Sequence, residues 1–260
     1  GVQTCALPIY QGDTGSIYTH DVSGTDDTAQ YNTAYGLTAL DAITTGDSNT
    51  AIGWGVLTAN TTATSNTSVG QNSMAANTTG SYNQALGVSA LAANTTGARN
   101  IGIGYQAYTA SDTENDNLAI GYQAMTTNTA GGTKNIAIGN YAADALTSGD
   151  ENVGIGYAAL GALTSGARNT ALGKSAMANN STGSNSTGLG NLALNQCLAD
   201  ENIGVGYAAG KSITTGVRNI AIGNEALDDC DTEADNIAIG YGAMTTNNAG
   251  GEKNIVLVTT

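Results

Sequence analysis

Two acidic stretches contain the residues whose types and spacing could bind a metal ion. These residues are Asp112, Glu114 and Asp116 in the first stretch, and Asp229, Asp231, Glu233 and Asp235 in the second. Clustered carboxylates in a loop are ligands that Ca²⁺ prefers. Neither stretch has the spacing of an EF-hand loop or of a glycine-rich nonapeptide repeat. Two interpretations are open, a calcium site and a solvated acidic edge that resists aggregation, and we favour the edge.

Tyrosines that recur at one spacing are a second candidate site. They are Tyr105, Tyr122, Tyr157, Tyr207 and Tyr241. A stripe of phenol rings could form a surface on which a glycan stacks, and it could equally cover a seam between subunits. We favour the seam and keep glycan contact as the alternative.

Catalysis and several classes of partner are excluded by what the sequence lacks. No residues form a nucleophile, base and acid set, so we predict no catalytic residue, no enzyme activity and no cofactor. The formal net charge is −14 with only seven basic residues, which argues against nucleic-acid binding because that needs a basic footprint. No apolar run approaches the roughly 20 residues that span a bilayer, so we predict no membrane insertion in this segment.

A short internal repeat positions these residues. The phrase Asn-Ile-Ala-Ile-Gly at 219–223 returns in close variants, and each repeat unit is called a rung here. Rungs begin at residues 32, 49, 66, 83, 100, 117, 135, 152, 169, 186, 202, 219, 236 and 254, with a step of 17, twice 18 and once 16. A fixed short period is typical of solenoids. We predict an all-β parallel β-solenoid (a β-roll) of about thirteen 17-residue rungs, each with two short strands and two turns.

The first position of a rung is asparagine in every rung except the one that begins at Ser186. In stacked coils an amide can hydrogen-bond its own turn and the equivalent asparagine one rung away. We therefore predict a structural ladder in which the following residues take part: Asn49, Asn117, Asn135, Asn152, Asn219 and Asn236.

Other positions of the rung predict what lies inside the coil. Position four is aliphatic in nearly every rung, so we predict that it points inward, with position two on the same face. Positions three and five carry small residues and glycine, which predicts close approach of another chain or sheet on that face. Positions eight and nine, such as Ala159 and Leu160, are predicted to be buried.

Cysteines and basic residues also keep to single positions. Cys197 and Cys230 both fall at position twelve, two rungs apart, and at about 4.8 Å per rung they are too distant for a disulfide. We predict two buried thiols. Five basic residues directly precede a rung asparagine and should form a stripe along one corner, partly paired with acidic neighbours: Arg99, Lys134, Arg168, Arg218 and Lys253.

The repeats cover only part of the chain. Residues 1–9 resemble the translated end of a common sequencing adapter, and we interpret them as a cloning scar. Residues 10–31 lack the repeat and are predicted to be an irregular N-terminal segment or a degenerate cap. Residues 32–260 are the β-solenoid repeat domain. This domain stops partway through a rung without a visible cap, so we expect it to be truncated at its C-terminus.

The repeat resembles those of known surface proteins over residues 32–260. Asn-x-Ala-Ile-Gly-x-x-Ala-Leu followed by Thr-Thr-Gly is similar to repeats of phage tail-fibre and related bacterial surface proteins. Asn-x-Ala-Ile-Gly also resembles the head repeats of trimeric autotransporter adhesins, which are left-handed β-rolls. The resemblance implies a homotrimer on a virion tail or a cell surface. The chain shows no chaperone domain, coiled-coil stalk or membrane anchor, so the choice between these families stays open.

These observations predict a structural or adhesive fibre segment that acts as a rigid spacer in host or surface attachment. Its expected partners are two further copies of the chain and a cell-surface glycan or receptor. Direct glycan binding along the tyrosine and threonine columns is the alternative function. Ice binding is a third interpretation, ranked last because the threonine pairs, such as Thr44 and Thr45, are consecutive and precede glycine, which is typical of turns.

Overall fold

The structure is a computed structural model that describes residues 10–11, 16–19, 28–128, 131–228, 232–245 and 251–258. The chain divides into two compact units, Gly1–Asp116 and Asn117–Thr260. The described residues form strands and turns, and none of them forms a helix long and apolar enough to cross a membrane.

The described residues of the first unit form seven short strands. They are β1 (Tyr10–Gln11), β2 (Ile17–Tyr18), β3 (Thr33–Tyr35), β4 (Thr50–Ile52), β5 (Thr67–Val69), β6 (Gln84–Leu86) and β7 (Ile101–Ile103). Strand β1 is antiparallel to β2, and from β2 onward each strand is parallel to the next. The register is constant, since Thr67 pairs with Gln84 and Gln84 with Ile101.

Nine strands of three residues each are formed by the part of the second unit that the structure describes. They are β8 (Leu118–Ile120), β9 (Ile136–Ile138), β10 (Val153–Ile155), β11 (Thr170–Leu172), β12 (Thr187–Leu189), β13 (Ile203–Val205), β14 (Ile220–Ile222), β15 (Ile237–Ile239) and β16 (Ile255–Leu257). Every strand pairs in parallel with the next in sequence. The pairing stays in register through the rungs of 16 and 18 residues, so the differences in length do not shift the strands.

The predicted fold class is confirmed, because the units are parallel β-solenoids in which β3 to β15 supply one strand to each of thirteen rungs. The expected second strand of each rung is not observed in the described residues. Turn segments take its place and still hydrogen-bond from rung to rung, as from Leu57 N to Ser73 O (3.2 Å) and from Ala59 N to Ala75 O (3.1 Å). Stacking therefore uses nearly the whole coil.

Left-handed backbone conformations close each coil. In the rung that begins at Asn66, the residues Asn72, Met74 and Tyr82 have φ values of 52°, 50° and 63°. The same three positions, seven, nine and seventeen, are left-handed in rung after rung. Such a conformation costs a non-glycine residue roughly 1–2 kcal/mol. We infer that hydrogen bonds to the neighbouring rungs hold the chain there.

The prediction that position four lies inside the coil is wrong. In each three-residue strand of the rungs the central residue, at position three, is the most buried, as Ala221 is between Ile220 and Ile222. Position three and the asparagine at position one point inward, and alternation then directs positions two and four outward. Alanine or glycine fits at position three because leucine and methionine at position nine already fill the interior, as Leu160 and Met177 do.

The glycine at position five is required by the coil itself. Gly156 has a φ of 134°, and a Cβ there would lie 2.5 Å from the carbonyl oxygen of Gly173 in the next rung. At position five, the close neighbour is therefore the next rung of the same chain and not another chain or sheet. At position three the nearest atoms lie inside the coil, such as the Ala159 carbonyl oxygen, which is 3.2 Å from a Cβ placed at Gly154.

Candidate functional site

The outward residues at positions two and four make an apolar sheet face on each unit. In the second unit, aliphatic side chains of this face are partly exposed, with 49% exposure for Leu172 and 38% for Ile222. No rung has Asp, Glu, Lys or Arg at positions two, three or four. This uncharged surface, called the apolar face below, was missed because its aliphatic residues were assigned to the interior.

The apolar face of the first unit contains a shallow groove of about 190 Å³. Its lining residues come from three consecutive strands: Thr67, Val69, Gln84, Ala85, Leu86 and Ile103. Leu86 is 52% exposed at the groove. The apolar face of the first unit thus has both a concave region and exposed apolar surface.

The asparagines at position one form a buried, hydrogen-bonded ladder. The Oδ1 of Asn135 accepts from the backbone N–H of Asn152 (2.9 Å) and from its Nδ2 (3.1 Å). The Nδ2 of Asn152 also donates to the carbonyl of Gly166 (2.9 Å). Asn49, Asn117, Asn219 and Asn236 are buried in the same position. Each amide bonds to backbone or to neighbouring asparagines, which leaves this column a structural role.

Ser186 shows how the ladder passes a rung without asparagine. Its backbone N–H donates to Oδ1 of Asn169 (3.0 Å), and its hydroxyl oxygen accepts from the N–H of Asn202 (3.1 Å). A hydroxyl thus replaces the amide as acceptor in the shortest rung.

The residues directly before the rung asparagines form a column in which bases and acids alternate from Arg99 onward, called the charged margin below. Arg99 Nε lies 2.5 Å from Asp116, Lys134 Nζ 3.6 Å from Glu151, and Arg218 Nε 2.6 Å from Asp235. The hydrogen bond from Arg218 holds the pKa of Asp235 below its usual range. The predicted basic stripe is real, but the acids that pair with it stand in the same column, a regularity missed in the sequence. It was visible as acids directly before Asn117, Asn152, Asn202 and Asn236.

The five predicted tyrosines lie at position six, beyond the glycine corner, and form the tyrosine margin. They are the exposed residues Tyr105, Tyr122, Tyr157, Tyr207 and Tyr241. The sequence pattern missed Tyr141, at position seven, whose ring packs edge to face on Tyr122 (5.5 Å between centroids) and Tyr157 (5.9 Å). Desolvation, followed by the neighbouring phenols, raises the pKa of Tyr141.

The acidic stretches are held mainly by local contacts. The carboxylate of Glu114 is buried and accepts from the N–H groups of Asp112 (2.8 Å) and Thr113 (3.0 Å), and that of Glu233 accepts from Thr232 N–H (3.1 Å). Asp116 and Asp235 pair with arginines. Asp229 and Asp231 lie outside the described residues. Within the described parts of the chain, no group of three or more His, Cys, Asp or Glu side chains could hold a metal ion.

Cys197 is buried as a free thiol whose pKa is raised by burial. Cys230 and His20 lie outside the residues that the structure describes.

Comparison of the chain with protein-family models, with curated proteins and with solved structures finds no match.

Proposed function

We propose that this chain is a structural or adhesive fibre segment whose apolar face packs against further copies of itself. The observation that carries the proposal is an uncharged aliphatic face on a chain of net charge −14. Depletion of charge over an apolar patch distinguishes the core of an interface from ordinary surface. Packing of this face would bury side chains such as Leu172, which is 49% exposed.

Electrostatics favours this face over the rest of the surface. Five of the seven basic residues stand in the charged margin, among four acids of the same column, so the edge of the apolar face is close to neutral. The remaining surface holds most of the acids. Copies that approach by any other side meet like charge, whereas approach by the apolar face avoids it.

The repeat itself favours a second copy as the occupant. Side chains of the apolar face recur once per rung, at about 4.8 Å. A partner can contact every rung in the same way only if it has the same spacing, and another copy of this chain has it. The resemblance of the repeats to tail fibres and trimeric adhesins supports a homotrimer on a virion tail or cell surface. There the coil would serve as a stiff spacer.

The test replaces two outward aliphatic residues of neighbouring rungs, Ile155→Asp with Leu172→Asp. Two buried charges per copy should convert the oligomer to monomer in sedimentation velocity, because an unpaired charge in an interface is costly. Ser165→Asp, on an exposed turn of the rung of Ile155, is the matched control and should leave the oligomer intact. Circular dichroism checks that each variant is folded. A wild-type chain that is monomeric at 100 µM contradicts the proposal.

Direct glycan binding is the second candidate, favoured by the edge-to-face cluster of Tyr122, Tyr141 and Tyr157. Aromatic rings with one exposed side are suited to stacking on a sugar. Binding of the wild-type chain on a glycan array, abolished by Tyr122→Ala with Tyr157→Ala, would support it. Binding that survives both substitutions would place the glycan elsewhere.

Threonine geometry supports ranking ice binding last. The hydroxyl of Thr61 donates to the carbonyl of Thr78 in the next rung (3.3 Å), and Thr62 is the exposed member of the pair. One exposed threonine column does not make a flat two-dimensional array. A thermal-hysteresis assay would read positive if this ranking is wrong.

A further inference from the structure

Along each margin of the apolar face, the type of residue alternates from rung to rung. In the second unit the two alternations are in phase. Rungs directly preceded by an acid carry tyrosine at position six: Glu151 with Tyr157, Glu201 with Tyr207, and Asp235 with Tyr241. Rungs preceded by a base carry asparagine or lysine: Lys134 with Asn140, Arg168 with Lys174, and Arg218 with Asn224.

Each alternation taken alone has a cause within the chain. In the charged margin, a base of one rung pairs with an acid of the next, as Arg218 does with Asp235. In the tyrosine margin, an asparagine caps the tyrosine of the preceding rung, because Asn224 Oδ1 accepts from the N–H of Tyr207 (3.1 Å). Neither contact links one margin to the other.

Among the described residues of the second unit, these two contacts do not account for the relation between the margins. The margins lie at opposite ends of a three-residue strand, so Glu201 and Tyr207 of one rung are separated by the width of the apolar face. Both alternations are interrupted at the same rung, on either side of β12. Asn185 stands there in place of an acid and Asn191 in place of a tyrosine, and the next rung again has the acid and the tyrosine. In the first unit, Arg99 with Tyr105 departs from the pattern. The coupling in the second unit therefore calls for a contact outside the chain.

We propose that neighbouring copies meet at these margins, with each tyrosine phenol donating a hydrogen bond to the carboxylate at the same rung of the next copy. This inference rests on the proposed packing of the apolar face. Copies related by rotation about an axis parallel to the stacking direction keep equal rungs at equal height. When their apolar faces point to that axis, the charged margin of one copy meets the tyrosine margin of the next.

The chemistry of the two margins fits this contact. A phenol donates one hydrogen bond, and an ionised carboxylate only accepts, so the pair is complementary and charge-assisted. Tyr157, Tyr207 and Tyr241 are 52%, 47% and 71% exposed, and Glu151 and Glu201 are exposed as well. In the alternate rungs, Arg218 would face the amide of Asn224, which can accept from the guanidinium. Arg168 would face Lys174, a like charge, and its Nε is directed instead to Oδ1 of Asn185 in the next rung (2.7 Å).

The first experiment removes only the phenol oxygens. The triple variant Tyr157→Phe, Tyr207→Phe and Tyr241→Phe should raise the dissociation constant of the oligomer about tenfold or more in sedimentation equilibrium. Tyr82→Phe is the matched control. Tyr82 is exposed and directly precedes a rung, so in the next copy it would face Val88, which has no polar group to accept its hydrogen bond. An unchanged dissociation constant for the triple variant overturns the proposal.

The second experiment tests which rungs meet. In a background with Cys5→Ser, Cys197→Ser and Cys230→Ser, a chain with Glu201→Cys is mixed with a chain with Tyr207→Cys and treated with a short bis-maleimide reagent. A hydrogen bond between a phenol and a carboxylate holds the two Cα atoms farther apart than the roughly 7 Å that a disulfide bridges, so a reagent must span the gap, and a crosslink in the mixture alone reports equal height. The control mixture pairs Glu201→Cys with Tyr241→Cys, two rungs away, and should not crosslink.

The outcomes separate this inference from the proposed function. A monomeric wild-type chain contradicts both proposals. A second outcome is an oligomer that the apolar-face variants dissociate, yet that neither crosslinks at equal rungs nor responds to the phenylalanine substitutions. That result contradicts the contact between margins and supports packing of the apolar face. Crosslinking at the two-rung offset also overturns the inference.

Discussion

Single residues at positions one and five set the tolerance of the coil to substitution. Asn152 is buried and connects its neighbours on both sides, accepting from Asn169 N–H (3.0 Å) and Nδ2 (3.1 Å). Because every rung repeats these contacts, one side chain satisfies polar groups of two rungs. Loss of such a residue leaves buried donors and acceptors without partners.

Asn152→Ala should therefore lower the free energy of unfolding by about 3 kcal/mol, since it strands several buried polar groups. Chemical denaturation followed by circular dichroism measures the change. Asn191→Ala, at the exposed position six, is the control and should stay within about 0.5 kcal/mol of wild type. Equal effects of the two substitutions would contradict a structural role for the ladder.

Gly156→Ala should destabilise by about 3 kcal/mol or more, because the new methyl group meets the carbonyl of Gly173 and the left-handed φ is strained. Gly161→Ala is the matched control: its nearest neighbour would be the Ala158 carbonyl oxygen at 3.2 Å, and its φ is ordinary. The control should change stability by less than about 1 kcal/mol in the same denaturation assay. A loss for Gly156→Ala as small as that of the control would show that the spacing between rungs can relax.

At the scale of the element, the turns decide where charge is tolerated. Asp144, in the turn after β9, is partly desolvated, and this raises the pKa of its carboxyl group. Asp235, at the charged margin, has its pKa lowered by the hydrogen bond from Arg218. The two carboxylates thus act on stability in opposite directions as pH changes.

For Asp144, the raised folded pKa means that ionisation costs stability as pH rises through its titration. Asp144→Asn should raise the free energy of unfolding at pH 7 by roughly 0.3 kcal/mol, a small value because solvent screens this half-exposed group, and the melting temperature should rise with it. The substitution should have no effect near pH 2.5. For Asp235, whose stabilising contribution is present at neutral pH and lost in acid, Asp235→Asn should lower the melting temperature at pH 7 only. Shifts of the same sign at pH 7 would contradict the assignment.

At the scale of the whole molecule, the chain combines an uncharged face with a net charge of −14. If that face is buried in the proposed oligomer, folding is linked to association, and apparent stability should depend on protein concentration. Screening of the remaining acids by salt should strengthen association, because it weakens repulsion between copies.

The melting temperature should therefore rise by about 5 °C between 1 µM and 100 µM protein, and the oligomer should be more stable at 0.5 M than at 0.05 M NaCl. Scanning calorimetry at the two concentrations and sedimentation at the two salt levels provide the measurements. Ile155→Asp with Leu172→Asp should remove the concentration dependence. A melting temperature independent of concentration in the wild-type chain would leave the apolar face without a partner.

The spacing of the asparagines was enough to predict the parallel coil, its register and the ladder column. A period of 17 with glycine at position five indicates that each repeat forms one rung. Residues at the same position of successive rungs must then stack on each other. The tyrosine and basic columns followed from the same spacing. Tyr141 and the acids of the charged margin did not, because Tyr141 stands one position outside its column, and acid and base alternate within theirs.

Only the tertiary structure decided which face of each strand is inside. Alternation divides the residues of a strand between two faces but does not say which face the coil encloses. Hydrophobicity pointed to Ile222, yet the interior beside Leu227 has room only for Ala221, and the isoleucine lies outside. The pattern is misleading here because the aliphatic face meets its neighbours, by our proposal, in other copies of the chain, which a single sequence read as a monomer does not contain.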